Sequence, residues 1–319
     1  MKTNKRLVLS LLVLVTMLVS VFATMTGAAA EAVTEEQALL TNSDINIRDP
    51  FIVTYEGKYY MYGTEGETAF SDAMDRFLVY VSDDLENWEG PYVIFQNDGT
   101  FWANQKYWAP AVFVKDGTFY FYGAMGSDSR INGIQLFTAD NPLGPFVPAS
   151  DSPMTGEDYE AIDAEIYEED GKTYMLFSSG ASGICYAELN ETLDAFVTEP
   201  VKLFDVSGCG WAVPMFGESL LNDGAAILKT EDGRLICFFS TMGPDGYNMG
   251  YAESDNGKLT GNWICSDARM LAGTNGGHNM FFTNLDGELM TAYHSPNFPG
   301  RPTFKYVKVA ASGEIFFVD

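Results

Sequence analysis

Two aspartates in this 319-residue chain stand at one distance from a turn glycine. Asp49, in "NIRDPFIV", lies eight residues before Gly57, and Asp163, in "EAIDAEIY", lies eight before Gly171. The same offset reaches Ala109, Ala225 and Asn279 from Gly117, Gly233 and Gly287. Nine residues reach Trp108 and His278, and ten reach Asp223. A single aspartate ahead of a strand is an ordinary turn residue. Recurrence in register makes these residues candidates to converge on one place. Converging carboxyls have a chemical use. Hydrolysing a glycosidic bond with inversion needs a carboxylate to activate water and a protonated carboxyl to give the leaving oxygen its proton, the two about 6.5–9.5 Å apart. A third carboxylate beside the donor raises its pKa and orients it.

The elements that must position these residues repeat five times. Each copy is an acidic or small turn residue, Gly, then an aromatic or apolar run: "YEGKYYMYG", "KDGTFYFYG", "EDGKTYMLFSS", "EDGRLICFFS" and "LDGELMTAYHS". The turn glycines are spaced 60, 54, 62 and 54 residues apart. Helical periodicity is almost absent, and short β-branched and aromatic runs alternate with Gly, Asp and Asn turns. Five units of this size predict an all-β, five-bladed β-propeller, with a β-sandwich as the rival. Each glycine would sit in a hairpin that needs positive φ, joining the innermost strand of a blade to the next. Residues a fixed distance before it would ring one mouth of the central channel. Tyr59, Tyr60, Phe119 and Tyr120 are expected between blades.

In the order of the five turns, "IRDPFIVTYEGKYYMYGT", "WAPAVFVKDGTFYFYGA", "AIDAEIYEEDGKTYMLFSS", "NDGAAILKTEDG" and "GGHNMFFTNLDGELMTAYHSPN" resemble glycoside hydrolase family 43. The last piece, with "GRPTF" after it, is similar to the branch of β-xylosidases and α-L-arabinofuranosidases. The resemblance covers nearly all of residues 31–319 and implies a five-bladed propeller and inverting hydrolysis. It matches Asp49 to the general base and Asp163 to the aspartate that tunes and orients the acid, with Ala164 where Pro or Gly is usual. The acid is commonly Glu in E-G-P, or Asp in D-G-P. Here "NDGAA" puts Asp223 in register, Ala225 replaces the proline, and Glu218 in "MFGESL" is the other candidate. His278 matches a histidine near the propeller axis that in some members helps waters hold calcium and in others acts without a metal. A structural Ca2+ in the channel and a hydrogen-bonding His278 therefore both stand, and the chemistry requires no cofactor. Trp108, together with Trp102 and Asn104 in "FWANQKYWAP", is a candidate for sugar contact. Arg301 is a candidate near the final blade.

The rest of the composition narrows the setting. Lys2, Lys5 and Arg6 precede an apolar run from Leu7 to Val21, and Ala28–Ala30 offers a small-residue cleavage site. Residues 1–30 are therefore predicted to be a secretory signal, and 31–319 a single exported catalytic domain with no stable membrane insertion after cleavage. Net charge is −26. Such a surface disfavours nucleic acid and acidic polysaccharide and leaves neutral pentose-containing oligo- or polysaccharides as the expected ligands. The four cysteines, Cys185, Cys209, Cys237 and Cys265, form no C-x-x-C pair, so zinc or thiol-redox chemistry is not expected. Two functions follow. One is an inverting hydrolase releasing terminal arabinofuranosyl or xylosyl units. The other is a noncatalytic carbohydrate-binding propeller whose acid position has decayed.

Overall fold

The five glycine turns close five hairpins, of two kinds. In three, Tyr55 pairs with Lys58, Lys115 with Thr118 and Glu169 with Lys172, leaving two-residue loops. Both loop residues have positive φ: 48° and 77° at Glu56-Gly57, 52° and 80° at Asp116-Gly117, 52° and 78° at Asp170-Gly171. That is the type I′ geometry, whose twist matches the strands it joins. The other two hairpins close at Lys229–Leu235 and Thr283–Leu289, so their loops are longer, and in each only the glycine is left-handed, with φ 91° at Gly233 and 83° at Gly287.

The computed structural model describes residues 38–319 apart from 72–73, 157–158 and 216; the expected signal at 1–30 lies outside the described residues. The hairpins belong to five antiparallel sheets, the blades of a β-propeller. From the axis outward, blade 1 contains Ile47–Tyr55, Lys58–Glu65, Arg76–Ser82 and Asn87–Gln96, with Leu40–Thr41 at its edge. Blade 2 contains Gln105–Lys115, Thr118–Ser127, Arg130–Ala139 and Val147–Pro148. Blade 3 contains Ile162–Glu169, Lys172–Ser178, Ile184–Glu188 and Val201–Phe204. Blade 4 contains Asp223–Lys229, Leu235–Gly243, Gly246–Ser254 and Trp263–Cys265. Blade 5 contains Gly277–Thr283, Leu289–His294, Pro302–Val309 and Ile315–Val318. Each innermost strand contacts the next, and blade 5 meets blade 1 to close the ring.

Blades are buried on both faces, so alternate residues of one strand enter opposite interfaces. Ile52, Tyr59 and Met61 pack against Met280, Phe282 and Met290 of blade 5. Their neighbours Val53, Tyr60 and Tyr62 pack against Val112, Phe119 and Phe121 of blade 2. Three further clusters fill the remaining interfaces, centred on Tyr122 and Phe177, on Phe204 and Phe239, and on Phe238 and Val307. Burying each such aromatic contributes about 1.5–3 kcal/mol, and this aromatic packing joins the separately hydrogen-bonded sheets. All four cysteines are thiols, with Cys237 fully buried.

Every innermost strand breaks register at the same level: between Arg48 and Phe51, Trp108 and Ala111, Ile162 and Glu165, Asp223 and Ala226, and Gly277 and Met280. The residue just inside each break is left-handed: Asp49 (φ 51°), Ala109 (36°), Asp163 (59°), Gly224 (59°) and His278 (57°). A bulge of this kind re-aims side chains and frees a backbone donor from the ladder. It also corrects the count from the turn glycines. The equivalents of Asp49 in blades 4 and 5 are Gly224 and His278, not Ala225 and Asn279, because those blades carry the longer loops. Asp223 and Trp108 instead occupy the position before the left-handed residue.

Candidate active site

The donors freed by the bulges are captured across blade boundaries. Asp49 N–H donates to His294 Nδ1 of blade 5 at 3.1 Å, and Ala109 N–H to Thr64 Oγ1 of blade 1 at 2.8 Å. Gly224 N–H donates to Asp163 Oδ2 of blade 3 at 3.0 Å, and His278 N–H to Ser240 Oγ of blade 4 at 2.7 Å. Each acceptor belongs to the preceding blade around the ring. Thr64 Oγ1–H in turn donates a hydrogen bond to Asp49 Oδ2 at 2.6 Å, which ties blades 1 and 2 to that carboxylate. Pairing buried polar groups in this way removes a desolvation cost of about 1–3 kcal/mol per group.

The carboxyls at this mouth differ in environment. Burial pushes Asp49 up, but the charge and hydrogen bond of His278, then the charge of Arg48, overcome it and hold Asp49 far below the usual carboxylate range. Its Oδ1 lies 3.1 Å from His278 Nδ1. Asp223 is moved the other way. Burial comes first and the negative charge of Asp163 second, and together they push it up to about 8 against the opposing pull of His278. Tyr247 O–H donates to Asp223 Oδ2 at 3.1 Å. Burial also raises Asp163, while His278 and the Gly224 N–H draw it down. Of these two neighbouring acids Asp223 retains the proton: on Asp163 the pull of His278 outranks the neighbouring negative charge, whereas on Asp223 the negative charge of Asp163 outranks His278. Around neutral pH the mouth therefore holds an ionised carboxylate and a neutral one, from blades 1 and 4.

The two histidines divide similarly. For His278 burial opposes the charge, but Asp49 and Asp163 prevail and raise it to about 9. His294 is pushed down to about 3, chiefly by burial, and stays neutral. Its Nδ1 accepts from Asp49 N–H, so Nε2 carries the proton toward Asn297 Oδ1, 3.3 Å away. Among the described residues no group of three or more His, Cys, Asp or Glu side chains is arranged to hold a metal.

Asp49, Asp163, Asp223 and His278 open on one cavity of about 590 Å³. Trp108 lines it, with its Nε1–H on Ala69 O at 2.5 Å and its ring edge-on to Phe70. The other candidates from the sequence do not line it. Trp102 donates to Gln135 Oε1 and packs against the core between blades 1 and 2. Asn104 is exposed on its loop. Arg301 turns onto Gly300 O. Glu218 is exposed, although Ser219 and Met215 beside it reach the wall. Several cavity residues escape the sequence reading: Arg48, Phe70, Lys106, Glu160, Tyr247 and Asn297. Thr64, Ser240 and His294, which pair with Arg48, Asp223 and Gly277 at the first residue of a bulge, had a signal, since each is a polar residue after an apolar run. Deeper in the channel, Glu165 is another carboxyl that burial pushes up to about 8, with Ile227 N–H on its Oε1.

Comparison with known proteins gives a consistent result. The model of glycosyl hydrolases family 43 matches residues 43–308. A β-D-galactofuranosidase of Aspergillus niger is 25% identical over 77% of this chain and 73% of its own length. An extracellular endo-α-(1→5)-L-arabinanase of Bacillus subtilis is 26% identical over 66% of this chain and 48% of its own. Among solved structures, an endo-arabinase from Bacteroides thetaiotaomicron superposes with a TM-score of 0.78 at 26% identity, covering 86% of this chain and 99% of that one.

Proposed function

The chain belongs to glycosyl hydrolase family 43, and from that premise we propose that it cleaves glycosidic bonds of pentose units, α-L-arabinofuranosyl or β-D-xylosyl, by single displacement with inversion. One observation carries the reading. Carboxyls from three blades open on one sugar-sized cavity, with Asp49 held ionised and Asp223 held protonated. In this scheme Asp49 takes a proton from water as the oxygen attacks the anomeric carbon. Asp223 gives its proton to the departing glycosidic oxygen, so the charge that leaves one carboxyl arrives at the other. Asp163 raises the affinity of Asp223 for that proton and fixes the strand that bears it through Gly224 N–H. The cationic His278 steadies Asp49 and limits repulsion among the three carboxyls. Trp108 and Phe70 supply apolar faces for a sugar ring.

The arabinan-directed relatives make arabinan and aryl α-L-arabinofuranosides the first substrates to test, with xylo-oligosaccharide and aryl β-xylosides beside them. The basic, then apolar, leader at 1–30 supports an exported enzyme. NMR of the first-formed sugar is expected to show the anomeric configuration opposite to the substrate's. Asp49→Asn and Asp223→Asn are each expected to lower kcat by about 10²–10⁴-fold, while Glu218→Gln leaves it unchanged. Loss of turnover in Glu218→Gln with Asp223→Asn active would overturn the assignment of the acid. Binding of arabinan without turnover of any substrate would establish a carbohydrate-binding propeller instead.

A further inference from the structure

Tyr247 is one of the largest fully buried side chains and still borders the cavity. Its placement is built from several directions. The ring stacks on His294, with centroids 5.6 Å apart and planes 15° from parallel. Its backbone N–H donates to Asn275 Oδ1 at 2.9 Å. Glycine at 277 leaves the room, since a Cβ there would stand 2.7 Å from the tyrosine ring. His294 is itself fixed at both nitrogens, by Asp49 N–H and by Asn297. One stacked pair thus spans from the backbone of Asp49 to the carboxyl of Asp223.

We propose that Tyr247, braced by His294, is a positioning residue for Asp223: its hydroxyl occupies Oδ2 and leaves the acidic proton on the other oxygen, the one free to reach the leaving group. A neutral carboxyl has one donor oxygen and one acceptor. Burial keeps the Tyr247 hydroxyl protonated, so it donates, and the oxygen receiving that bond is the acceptor. Without it the proton is shared between both oxygens and the short aspartate arm turns more freely. The same bond favours the ionised carboxylate and so eases proton release. The other groups acting on Asp223 are Asp163 and Asp49, which raise its proton affinity, and His278, which lowers it; none of them is changed by removing the hydroxyl. The inference rests on Asp223 being the acid of the proposed hydrolysis.

Tyr247→Phe keeps the ring and deletes the hydroxyl. On arabinan, whose leaving group needs a proton, its kcat is expected to fall about 10-fold. On an aryl arabinofuranoside with a highly acidic phenol, which leaves unaided, the loss is expected to stay below about 2-fold. The alkaline limb of kcat/KM should move upward. Asn275→Ala, which loosens Tyr247 while retaining its hydroxyl, should show the same selective loss to a smaller degree. Equal losses on both substrates with an unmoved alkaline limb, or no loss in either variant, would overturn the inference. Infrared titration of the protonated carboxyl band that Asp223→Asn removes provides a readout independent of turnover. A higher midpoint in Tyr247→Phe supports the contact even if the native protein hydrolyses none of the substrates, a result that would sink the glycosidase reading alone. An unchanged midpoint counts against the contact whatever the activity.

Discussion

At the scale of single residues, burial and charge place a proton on Asp223 and deny one to Asp49, and both consequences are measurable. The alkaline limb of activity should fall near pH 8, where Asp223 ionises. The same shift bears on stability. Asp223 is raised from 3.8 in the unfolded chain to about 8 in the fold. Its contribution to stability is therefore complete below about pH 4 and is lost progressively as pH rises toward 8, where the unfolded chain has shed its proton and the fold still holds one. Asp223→Asn, neutral in both states, should melt with the native protein near pH 3.5 and above it by a widening margin up to pH 8. Thermal melts across that range check the sign. A constant difference would mean that Asp223 titrates normally.

At the scale of elements, two glycines separate the work of a hairpin from the work of a bulge. Gly117 sits in a type I′ turn at φ 80° with open space where a side chain would go. Gly117→Ala should cost about 1 kcal/mol and leave kcat/KM unchanged. Gly224 is also left-handed, but a Cβ there would meet the His278 ring at 2.9 Å. Gly224→Ala should cost about 1–3 kcal/mol and also depress turnover, because it displaces the residue that joins Asp223 to Asp163. Denaturant unfolding and steady-state kinetics on the two variants distinguish the outcomes. The hairpins were legible in the sequence because E-G and D-G report a local backbone demand. The bulges were half legible: Asp49 and Asp163 marked theirs, but the longer loops of blades 4 and 5 shifted the count, so the equivalence of Gly224 and His278 emerged only from strand pairing. The partners opposite the bulges had also left a trace. Thr64, Ser178, Ser240 and His294 lie in the second strands of four blades, each a polar residue after an apolar run.

For the whole molecule, aromatic interfaces hold blades that share no continuous sheet. Phe121 is 1% exposed and meets the rings of Tyr62, Phe77, Phe137 and Phe146 between blades 1 and 2. Phe121→Ala should cost about 3–5 kcal/mol, seen as a large fall in the denaturant midpoint. Because blade 1 carries Asp49 and Thr64, whose hydroxyl meets blade 2, it should also weaken catalysis well below the melting point. The net charge of −26 acts at this scale too. Its expected effect is to disfavour polyanions, and a charge of that kind specifies no particular ligand.

The repeat, the turn glycines and the aspartates ahead of the strands were written in the sequence itself, because each answers to constraints felt within a few residues. Which carboxyl keeps a proton was not, since that depends on burial and on charges delivered by other blades. Tyr247 reaches Asp223 across 24 positions and His294 reaches Asp49 across 245, and no local pattern announces either contact. Trp102 and Trp108 stand six residues apart and both pack against the core between blades 1 and 2, yet only Trp108 also lines the cavity. Only closure of the ring, which decides what faces the axis and what faces a neighbouring blade, separates them.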